Sequence, residues 1–438
     1  MDERMRAIEN SVLKQLEGSF VNITDEVKRR SMITYAAKTI APSISGEEIN
    51  ALIKDINELG GIARYISDQN VEDVMINNTA STFIFDSDGT SKQVDVKYET
   101  KEDLELLVGK LKLYATNKSA NGNIMDVHLP TGSRANIVTS PLGPDVTIRN
   151  FRSKPLSIID LINSGELDYH MAARLWLYVD GFRIRPANML IGGVPAAGKT
   201  TLLNAMFSFF RPEQRVITIE DTYELNTEHQ ENVAKLETSG DLTLQDLVKN
   251  ALRMRPDLIV IGEVRGSEAN DLIAAMNVGK ICMGTIHASS TRDIVNRLEH
   301  SPMNVPQDII PVIDALLVMA PVFQNGVMSR KIVQMSEISG IETQILLSDL
   351  YRYDYKTHQA APILPSVTYR DLLSKILGVV PSDILAEEAV RARILEQMNR
   401  LGKRSTPDIS EVVKEYYYTP EALLKKIGLG NVSPIIRV

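Results

Sequence analysis

Hydrophobic and polar positions change their spacing along the chain, and each change predicts a different kind of element. Residues 1–60 carry helical spacing in pieces, separated by polar breaks such as APSISGEE. From residue 61, short β-rich runs alternate with Asn-Asn and Ser-Asp-Gly turn signals, which predicts antiparallel strands. The stretch TKEDLELLVGKLKLYATNK predicts a helix with Thr100 as its N-cap, and the strand candidates IMDVHLP, SRANIVT and DVTIRNF follow. The pattern therefore predicts a small α+β domain over residues 61–151.

A second pattern begins at residue 152. The segment RSKPLSIIDLINSGELD is typical of a linker and a first helix. From Asn188, apolar strands then alternate with helices in the order NMLIGG, KTTLLNAMFSFF, RVITIED, LQDLVKNALRM, LIVIGEV, SEANDLIAAMNVG and ICMGTIHA. Near-continuous apolar strands alternating with amphipathic helices indicate a parallel sheet covered on both faces. We predict an α/β domain over residues 152–348 and a helical region over 349–438, in which prolines separate about three helices.

Composition adds limits on partners and on metal sites. The chain has 438 residues, enough for two or three domains with substantial cores. It carries 48 Lys and Arg against 56 Asp and Glu, a net charge of −8, which argues against coating of nucleic acid. A single cysteine excludes a disulfide framework and any multi-cysteine zinc site, and it fits a reducing compartment. Because Cys282 lies in an apolar run, we expect it in the core.

No segment predicts insertion into a membrane. The first residues, MDERMRAIENSVLKQLEG, are charged and lack the apolar centre of a signal peptide. The most apolar stretch, DIIPVIDALLVMAPVF, is too short for a membrane span and contains Asp314 and two prolines. The chain would therefore contact a membrane only through a partner protein.

The segment IGGVPAAGKTTLL has the spacing of a phosphate-binding loop. Glycines let backbone N–H groups approach phosphate oxygens, and the N-terminus of the following helix adds a positive dipole. Lys199 would reach the β- and γ-phosphates of a nucleotide, and the Thr200 hydroxyl would bind Mg²⁺. The predicted nucleotide-binding residues are Gly193, Val194, Pro195, Ala196, Ala197, Gly198, Lys199, Thr200 and Thr201. The loop lies between an apolar strand and an amphipathic helix, as this chemistry requires.

Three further segments place polar residues after apolar strands, where ligands bind in doubly wound sheets. The run RVITIEDTYEL supplies Glu220, Asp221 and Glu224, which are candidates for orienting or deprotonating water, although a solvated acidic loop is the alternative. The strand LIVIGEV ends at Gly262-Glu263, where P-loop proteins usually carry an Asp that helps to hold Mg²⁺. The segment GTIHAS places His287 at the end of a later strand, where it could bond a γ-phosphate, although a lone histidine is more often structural.

Taken together, these motifs resemble the secretion ATPase superfamily, which powers type II and type IV secretion, type IV pili and the archaellum. The resemblance covers roughly Val74 to Leu350 and rests on the P-loop, IEDTYEL, RPDLIVIGEVRG and GTIHAS. It implies a RecA-like P-loop NTPase core preceded by a small α+β, PAS-like domain. It further implies a hexamer that hydrolyses ATP with Mg²⁺ at the inner face of the cytoplasmic membrane, where a polytopic platform protein is the partner.

The resemblance also implies roles for individual residues. Glu263 would hold Mg²⁺ through water, and Glu224 would be the general base. Arginines complete the nucleotide site in this superfamily, and the candidates are Arg253, Arg255, Arg134 and Arg149. For each of them an ordinary salt bridge is the alternative.

Some positions depart from the pattern of the superfamily. Lys280 stands where relatives usually have a histidine, and Pro195-Ala196-Ala197 replaces a Gly/Ser-rich loop interior. The acidic segment and the helical tail resemble the archaeal and tight-adherence pilus branch most closely.

Two functions from other classes stay open at this point. A RecA-like nucleic-acid translocase would need a basic stripe interleaved with aromatics, whereas aromatics make up 5% of the chain. A nucleotide-binding scaffold without turnover would not need Glu224 and Glu263.

Overall fold

The computed structural model describes residues 3–21, 23, 25–86, 89–118, 123–150, 155–211, 213–239, 241–324 and 327–435. The chain divides into two compact units, Met1–Ser153 and Lys154–Val438, and each is described by itself. The boundary predicted at residues 151/152 lies outside the described residues. The division into segments 1–60, 61–151, 152–348 and 349–438 stays a prediction.

Helices open the first unit, and capping side chains fix where two of them begin. They are α1 (Glu3–Gln15), α2 (Glu26–Ile40), α3 (Gly46–Glu58) and the short α4 (Ala63–Ile66). Asp25 accepts the N–H of Val27 before α2, while Ser45 and Glu48 form a capping box before α3.

A seven-stranded antiparallel sheet follows, with α5 (Lys101–Lys112) inserted after its third strand. The strands are β1 (Val71–Asn78), β2 (Ser81–Asp86), β3 (Ser91–Val94), β4 (Ala115–Lys118), β5 (Ile124–His128), β6 (Arg134–Ser140) and β7 (Gly143–Arg149). Their order is β3-β2-β1-β7-β6-β5-β4. The helix predicted through residue 118 ends at Lys112, because the segment beyond it pairs with β5 and gains the hydrogen bonds of the ladder.

Helices and sheet of the first unit share one hydrophobic core, and a buried cation lies within it. Lys110 of α5 contacts Glu9 Oε1 at 3.0 Å and Asp55 Oδ2 at 2.7 Å, which ties α5 to α1 and α3. Glu9 is 1% exposed, and burial raises the pKa of its carboxyl group while Lys110 opposes that shift.

We expect Lys110→Met to destabilise the first unit by about 3–5 kcal/mol, the usual effect of removing one partner of a buried ion pair. The carboxylate of Glu9 would then stay buried without its cation. Lys97→Met is the matched control, since Lys97 pairs with an exposed Asp95 and such pairs contribute about 0–1 kcal/mol. Thermal unfolding of both variants measures the difference, and equal midpoints would contradict the role of Lys110.

The second unit contains a nine-stranded sheet. Its strands are β8 (Met189–Gly193), β9 (Val216–Glu220), β10 (Val233–Glu237), β11 (Leu258–Val264), β12 (Ile281–Ile286), β13 (Ala315–Gln324), β14 (Val327–Ile341), β15 (Ile345–Asp354) and β16 (Gln359–Pro362). Strands β10-β9-β11-β12-β8-β13 are parallel, and β14, β15 and β16 extend the sheet as an antiparallel meander. The predicted α/β class is confirmed by this strand order and by the helices between the parallel strands.

Helices cover both faces of this sheet, and strand residues alternate between two cores. The helices are α6 (Ile158–Asn163), α7 (Tyr169–Asp180), α8 (Lys199–Met206), α9 (Leu244–Ala251), α10 (Glu268–Asn277), α11 (Thr291–Glu299), α12 (Thr368–Leu377), α13 (Pro381–Arg400), α14 (Thr406–Tyr418) and α15 (Pro420–Lys426). Val260 and Met283 face the core shared with α7, α8 and the C-terminal helices. Ile259 and Cys282 face the core shared with α9, α10 and α11, so Cys282 is a buried core residue, as predicted.

Strand structure continues beyond residue 348, where the helical tail was predicted to begin. Strand β15 runs to Asp354, and the segment HQAAP, which was assigned to the tail, supplies the edge strand β16. Pairing along β15 and β16 outweighs the weak local signal of this segment. Four helices follow instead of about three. Among the described helices, none combines the length and the apolar character that crossing a bilayer requires.

Candidate functional site

The loop between β8 and α8 contains two positions that favour glycine, Gly193 and Gly198. A Cβ on Gly193 would lie 2.8 Å from the Met319 carbonyl oxygen and 3.1 Å from Lys199 Cγ, so this position has no room for a side chain. Gly198 has a φ of +93° at the start of α8, a conformation that favours glycine. The loop thus turns tightly into the N-terminus of α8, where backbone N–H groups and the helix dipole favour an anion.

Lys199 is buried against the loop that precedes it. The residue is 7% exposed. Its Nζ donates to the carbonyl oxygens of Gly193 at 3.0 Å and Val194 at 3.2 Å. Burial lowers the pKa of Lys199, and the negative charges of Glu263 and Glu224 oppose that shift. The two hydrogen bonds hold Nζ of Lys199 at the base of the loop.

His287 lies between this cation and a carboxylate. Its Nδ1 is 3.4 Å from Lys199 Nζ, and its Nε2 is 2.8 Å from Glu263 Oε1. The sheet order explains the meeting, because β11, β12 and β8 are neighbours and are parallel. Their carboxyl ends bring Glu263, His287 and the P-loop to one edge of the sheet. The sequence-predicted residues Lys199, His287 and Glu263 thus form one continuous cluster.

The acidic segment after β9 separates into three environments. Glu220, at the end of the strand, turns inward and accepts the backbone N–H groups of Glu224 at 2.9 Å and Leu225 at 3.0 Å. Burial raises the pKa of Glu220 to about 7, although those two hydrogen bonds act in the opposite direction. Asp221 accepts the Thr238 hydroxyl at 3.1 Å and contacts Arg265. Glu224 itself is exposed.

Arg253 and Arg255 lie at the opposite edge of the sheet from the P-loop of the same chain. Both are exposed and precede Leu258, where β11 begins. Seven residues of strand span about 20 Å, which separates them from the carboxyl edge. Lys280 also lies at the amino edge, where its Nζ donates to the Pro256 carbonyl at 3.3 Å, far along β12 from His287.

Arg134 and Arg149 are neighbours on the sheet of the first unit. They face each other directly across β6 and β7. Arg149 is 68% exposed and lies 3.1 Å from Asp73, while Arg134 is 40% exposed and lies 3.2 Å from Asp126. The cross-strand pairing therefore concentrates two guanidinium groups on one surface of the first unit.

Three residues around the site were not predicted. Arg265 contacts Asp221 and lies 4.0 Å from Glu263, so it links the acidic segment to β11. Arg330 of β14 donates from Nε to the Ala196 carbonyl at 2.9 Å. Asn204 of α8 contacts the acidic segment from the other side. Arg265 sits in the quoted GEVRG stretch, which could have drawn attention to it, whereas Arg330 and Asn204 carry no motif.

The residues at this edge suit a nucleotide with Mg²⁺. The Thr200 hydroxyl at the start of α8 and the Glu263 carboxylate are oxygen donors of the kind that Mg²⁺ prefers. Within the described ranges no three His, Cys, Asp or Glu side chains converge as a metal site.

Comparison with known proteins places these motifs in a family. A family profile described as type II/IV secretion system protein matches residues 55–343. The uncharacterized protein MJ0900 of Methanocaldococcus jannaschii is 30% identical over 375 residues, which cover 82% of this chain and 67% of that protein. MJ0781 of the same organism is 40% identical over 237 residues, 51% of this chain and only 33% of that longer protein. VirB11 of Agrobacterium fabrum is 28% identical over 239 residues, 48% of this chain and 69% of VirB11.

Solved structures of an ATPase and of a pilus retraction motor also match. The Legionella pneumophila ATPase DotB matches with a TM-score of 0.45 and 15% identity over 80% of this chain and 93% of DotB. The pilus retraction motor PilT with bound ADP matches with a TM-score of 0.47 and 17% identity over 85% of this chain and 95% of PilT. On the strength of the profile and of MJ0900, the chain belongs to the type II/IV secretion system protein family, within the secretion ATPase superfamily.

Proposed function

We propose that this chain is a Mg²⁺-dependent ATPase that powers a pilus-like filament or a type II/IV secretion machine. The observation that carries the proposal is the cluster in which His287 lies 3.4 Å from Lys199 and 2.8 Å from Glu263, beside the P-loop. A cation for the phosphates and a carboxylate at one sheet edge are parts that phosphoryl transfer requires, and the imidazole lies between them.

Each residue of the cluster has a specific role in this proposal. Lys199 leaves the carbonyls of Gly193 and Val194 and binds the β- and γ-phosphate oxygens, which exchanges neutral acceptors for charged ones. Thr200 would bind Mg²⁺ through its hydroxyl group, and Glu263 would hold the ion through a water molecule. Bound Mg²⁺ supplies the positive charge that neutralises the phosphates. Glu224, which is exposed beside the cluster, accepts a proton from the attacking water.

His287 couples the state of the γ-phosphate to the rest of the cluster. When Lys199 moves to the phosphates, Nδ1 of His287 loses its contact with the ammonium group and becomes free to turn toward the γ-phosphate. The 2.8 Å contact with Glu263 keeps the imidazole at the end of β12. Loss of the phosphate after hydrolysis reverses the exchange, so His287 would report turnover to β11.

The motor part of the proposal concerns assembly and partners. Six copies form a ring in which a PAS-like domain (residues 61–151) moves against a RecA-like core (152–348), with helical segments at 1–60 and 349–438. The parallel strand order supports a RecA-like core. The ring acts in the cytoplasm at the inner face of the membrane, on a polytopic platform protein. The archaeal relatives support the archaeal and tight-adherence branch.

ATP turnover by the purified chain tests the proposed function. We expect hydrolysis that requires Mg²⁺. The rate per chain should increase with protein concentration as hexamers form. Phosphate release and sedimentation are measured on the same samples. A purified chain without measurable turnover under any of these conditions would identify it as a nucleotide-binding scaffold. Salt-sensitive, micromolar binding of single-stranded DNA would favour a translocase instead.

Substitutions of Arg149 and Arg134 test whether the first unit completes the site. Arg149→Ala should lower kcat about 10³-fold or more with little change in nucleotide affinity, as loss of an arginine finger does. Arg134→Ala should also lower kcat, but by a smaller factor, because the two guanidinium groups share one surface. Arg64→Ala, at an arginine whose guanidinium lies over the Tyr65 ring, is the control in the same unit.

Mixed hexamers identify the subunit on which Arg149 acts. Subunits with Arg149→Ala and subunits with Lys199→Ala lack different halves of a shared site, so mixing should restore part of the turnover. Arg253→Ala and Arg255→Ala are mixed with Lys199→Ala in the same way, because both arginines lie far from their own P-loop. An arginine that acts within its own subunit gives no recovery. Unchanged turnover in both first-unit variants would leave that unit a docking module.

A further inference from the structure

The loop that carries Glu224 is held at its backbone by two side chains from different elements. Glu220 Oε1 accepts the N–H groups of Glu224 at 2.9 Å and Leu225 at 3.0 Å. Asn204 holds the other side, since its Nδ2 donates to the Glu224 carbonyl at 3.0 Å and its Oδ1 accepts the Asn226 N–H at 2.8 Å. Both backbone polar groups of Glu224 are therefore bound by side chains.

These two contacts connect the loop to the sheet and to the P-loop helix. Glu220 is the last residue of β9 and is 2% exposed. Asn204 belongs to α8, the helix that begins with Lys199 and Thr200. The position of Glu224 is thus fixed relative to the residues that would bind phosphate and Mg²⁺. A group that must meet a water molecule near the γ-phosphate benefits from this fixed geometry.

Gly262 fits the same arrangement. A Cβ at this position would lie 3.0 Å from Glu220 Cγ and 3.2 Å from Glu220 Oε1, the atom that accepts both N–H groups. Its φ is outside the left-handed region, so the backbone conformation itself would permit alanine. The glycine that precedes Glu263 is therefore explained by the space that the Glu220 side chain occupies.

We propose that Glu220 and Asn204 are positioning residues that hold the backbone of Glu224 in place for catalysis, and that Gly262 is a glycine in order to admit Glu220. This proposal rests on the proposed function for its effect on turnover. It assigns no contact with the nucleotide to either residue. The expected consequence is a loss in kcat without a loss in nucleotide binding.

The first experiment measures kcat and KM for ATP. Glu220→Ala should lower kcat about 10- to 100-fold, because small displacements of a reacting group have effects of that size, and KM should stay unchanged. Glu220→Gln keeps an acceptor oxygen at the same reach and should recover most of kcat. Asn204→Asp keeps the acceptor for Asn226 but loses the donor to the Glu224 carbonyl, so it should lower kcat as well. Glu228→Ala, in the same loop, is the control.

A double-substitution cycle tests the role of Gly262. Gly262→Ala should lower kcat in the wild-type chain, where the new methyl group meets Glu220 Cγ and Oε1. In the Glu220→Ala chain those two atoms are gone and the nearest remaining atom, Glu220 Cβ, lies at 3.5 Å. The second substitution should then have no further effect. Equal losses in both backgrounds would overturn the explanation of the glycine.

Hydrogen exchange separates this proposal from the proposed function. Peptides that cover residues 221–226 should exchange faster in Glu220→Ala and Asn204→Ala than in the wild-type chain, whether or not the chain hydrolyses ATP. Faster exchange with an unchanged kcat in a chain that turns over ATP overturns the positioning role. Unchanged exchange overturns the backbone contacts themselves. If the wild-type chain hydrolyses no ATP, the proposed function fails while the exchange measurement still decides the contacts.

Discussion

Lys199→Ala is expected to abolish ATP turnover, with a loss of about 10³-fold or more, the scale on which a cation that neutralises phosphoryl charge acts. The side chain is buried, and its ammonium group is bound by the carbonyls of Gly193 and Val194. Arg330 also contacts the loop, but it binds the Ala196 carbonyl, whereas Lys199 binds those of Gly193 and Val194. Truncation would leave the phosphates without a fixed positive charge.

The measurement combines phosphate release with the affinity for a nucleotide that carries a fluorescent label. Lys249→Ala, an exposed lysine of α9 in the same unit, is the matched control and should keep the wild-type rate. Thermal unfolding confirms that both variants are folded. Wild-type turnover by the Lys199→Ala chain would remove the P-loop assignment and with it the role of the whole cluster.

The main features of the second unit could be predicted from the sequence because their signals are local. The parallel strands β8, β9, β11 and β12 are short apolar runs, and the sequence alone names the residue that ends each of them. The convergence of Lys199, Glu263 and His287 then follows from a general property of parallel sheets, whose carboxyl ends lie at one edge. No knowledge of the exact strand order was needed to expect them together.

The features that could not be predicted depend on pairs that are distant in the chain. Arg330 reaches the Ala196 carbonyl from an antiparallel strand that follows the motifs, and nothing in its surroundings in the sequence marks it. Glu220 was grouped with its neighbours as one acidic segment. In the structure it turns inward, because the space over Gly262 is open on an adjacent strand.

Local pattern also failed where a chain segment forms a strand at a sheet edge. The spacing of hydrophobic and polar residues in α5 continues into the β4 segment, so the pattern alone predicts more helix. The helix ends at Lys112 because the β4 segment pairs with β5. Strand β10 was missed for a related reason, since an edge strand is half-buried and lacks a continuous apolar run. Edge strands take their conformation from a neighbour, which sequence spacing does not reveal.

The second large effect is expected from the two carboxylates that would act on water, and they should differ in their dependence on Mg²⁺. Glu263→Gln should lower kcat about 10²- to 10³-fold, since a preorganised charge is replaced by a neutral group of the same shape. It should also raise the Mg²⁺ concentration that is required for half-maximal turnover. ATP binding should persist, because Lys199 and the loop backbone are unchanged.

Glu224→Gln provides the comparison. A general base contributes about 10²- to 10⁴-fold, so kcat should fall on that scale. The Mg²⁺ requirement should match that of the wild-type chain, because Glu224 lies outside the contact between His287 and Glu263. Titrations of turnover against Mg²⁺ for both variants separate the roles. If Glu224→Gln shifts the Mg²⁺ requirement and Glu263→Gln does not, the two assignments are exchanged. If Glu263→Gln loses nucleotide binding while its turnover per bound nucleotide stays intact, Glu263 serves binding, and the attack on the γ-phosphate depends on Glu224 alone.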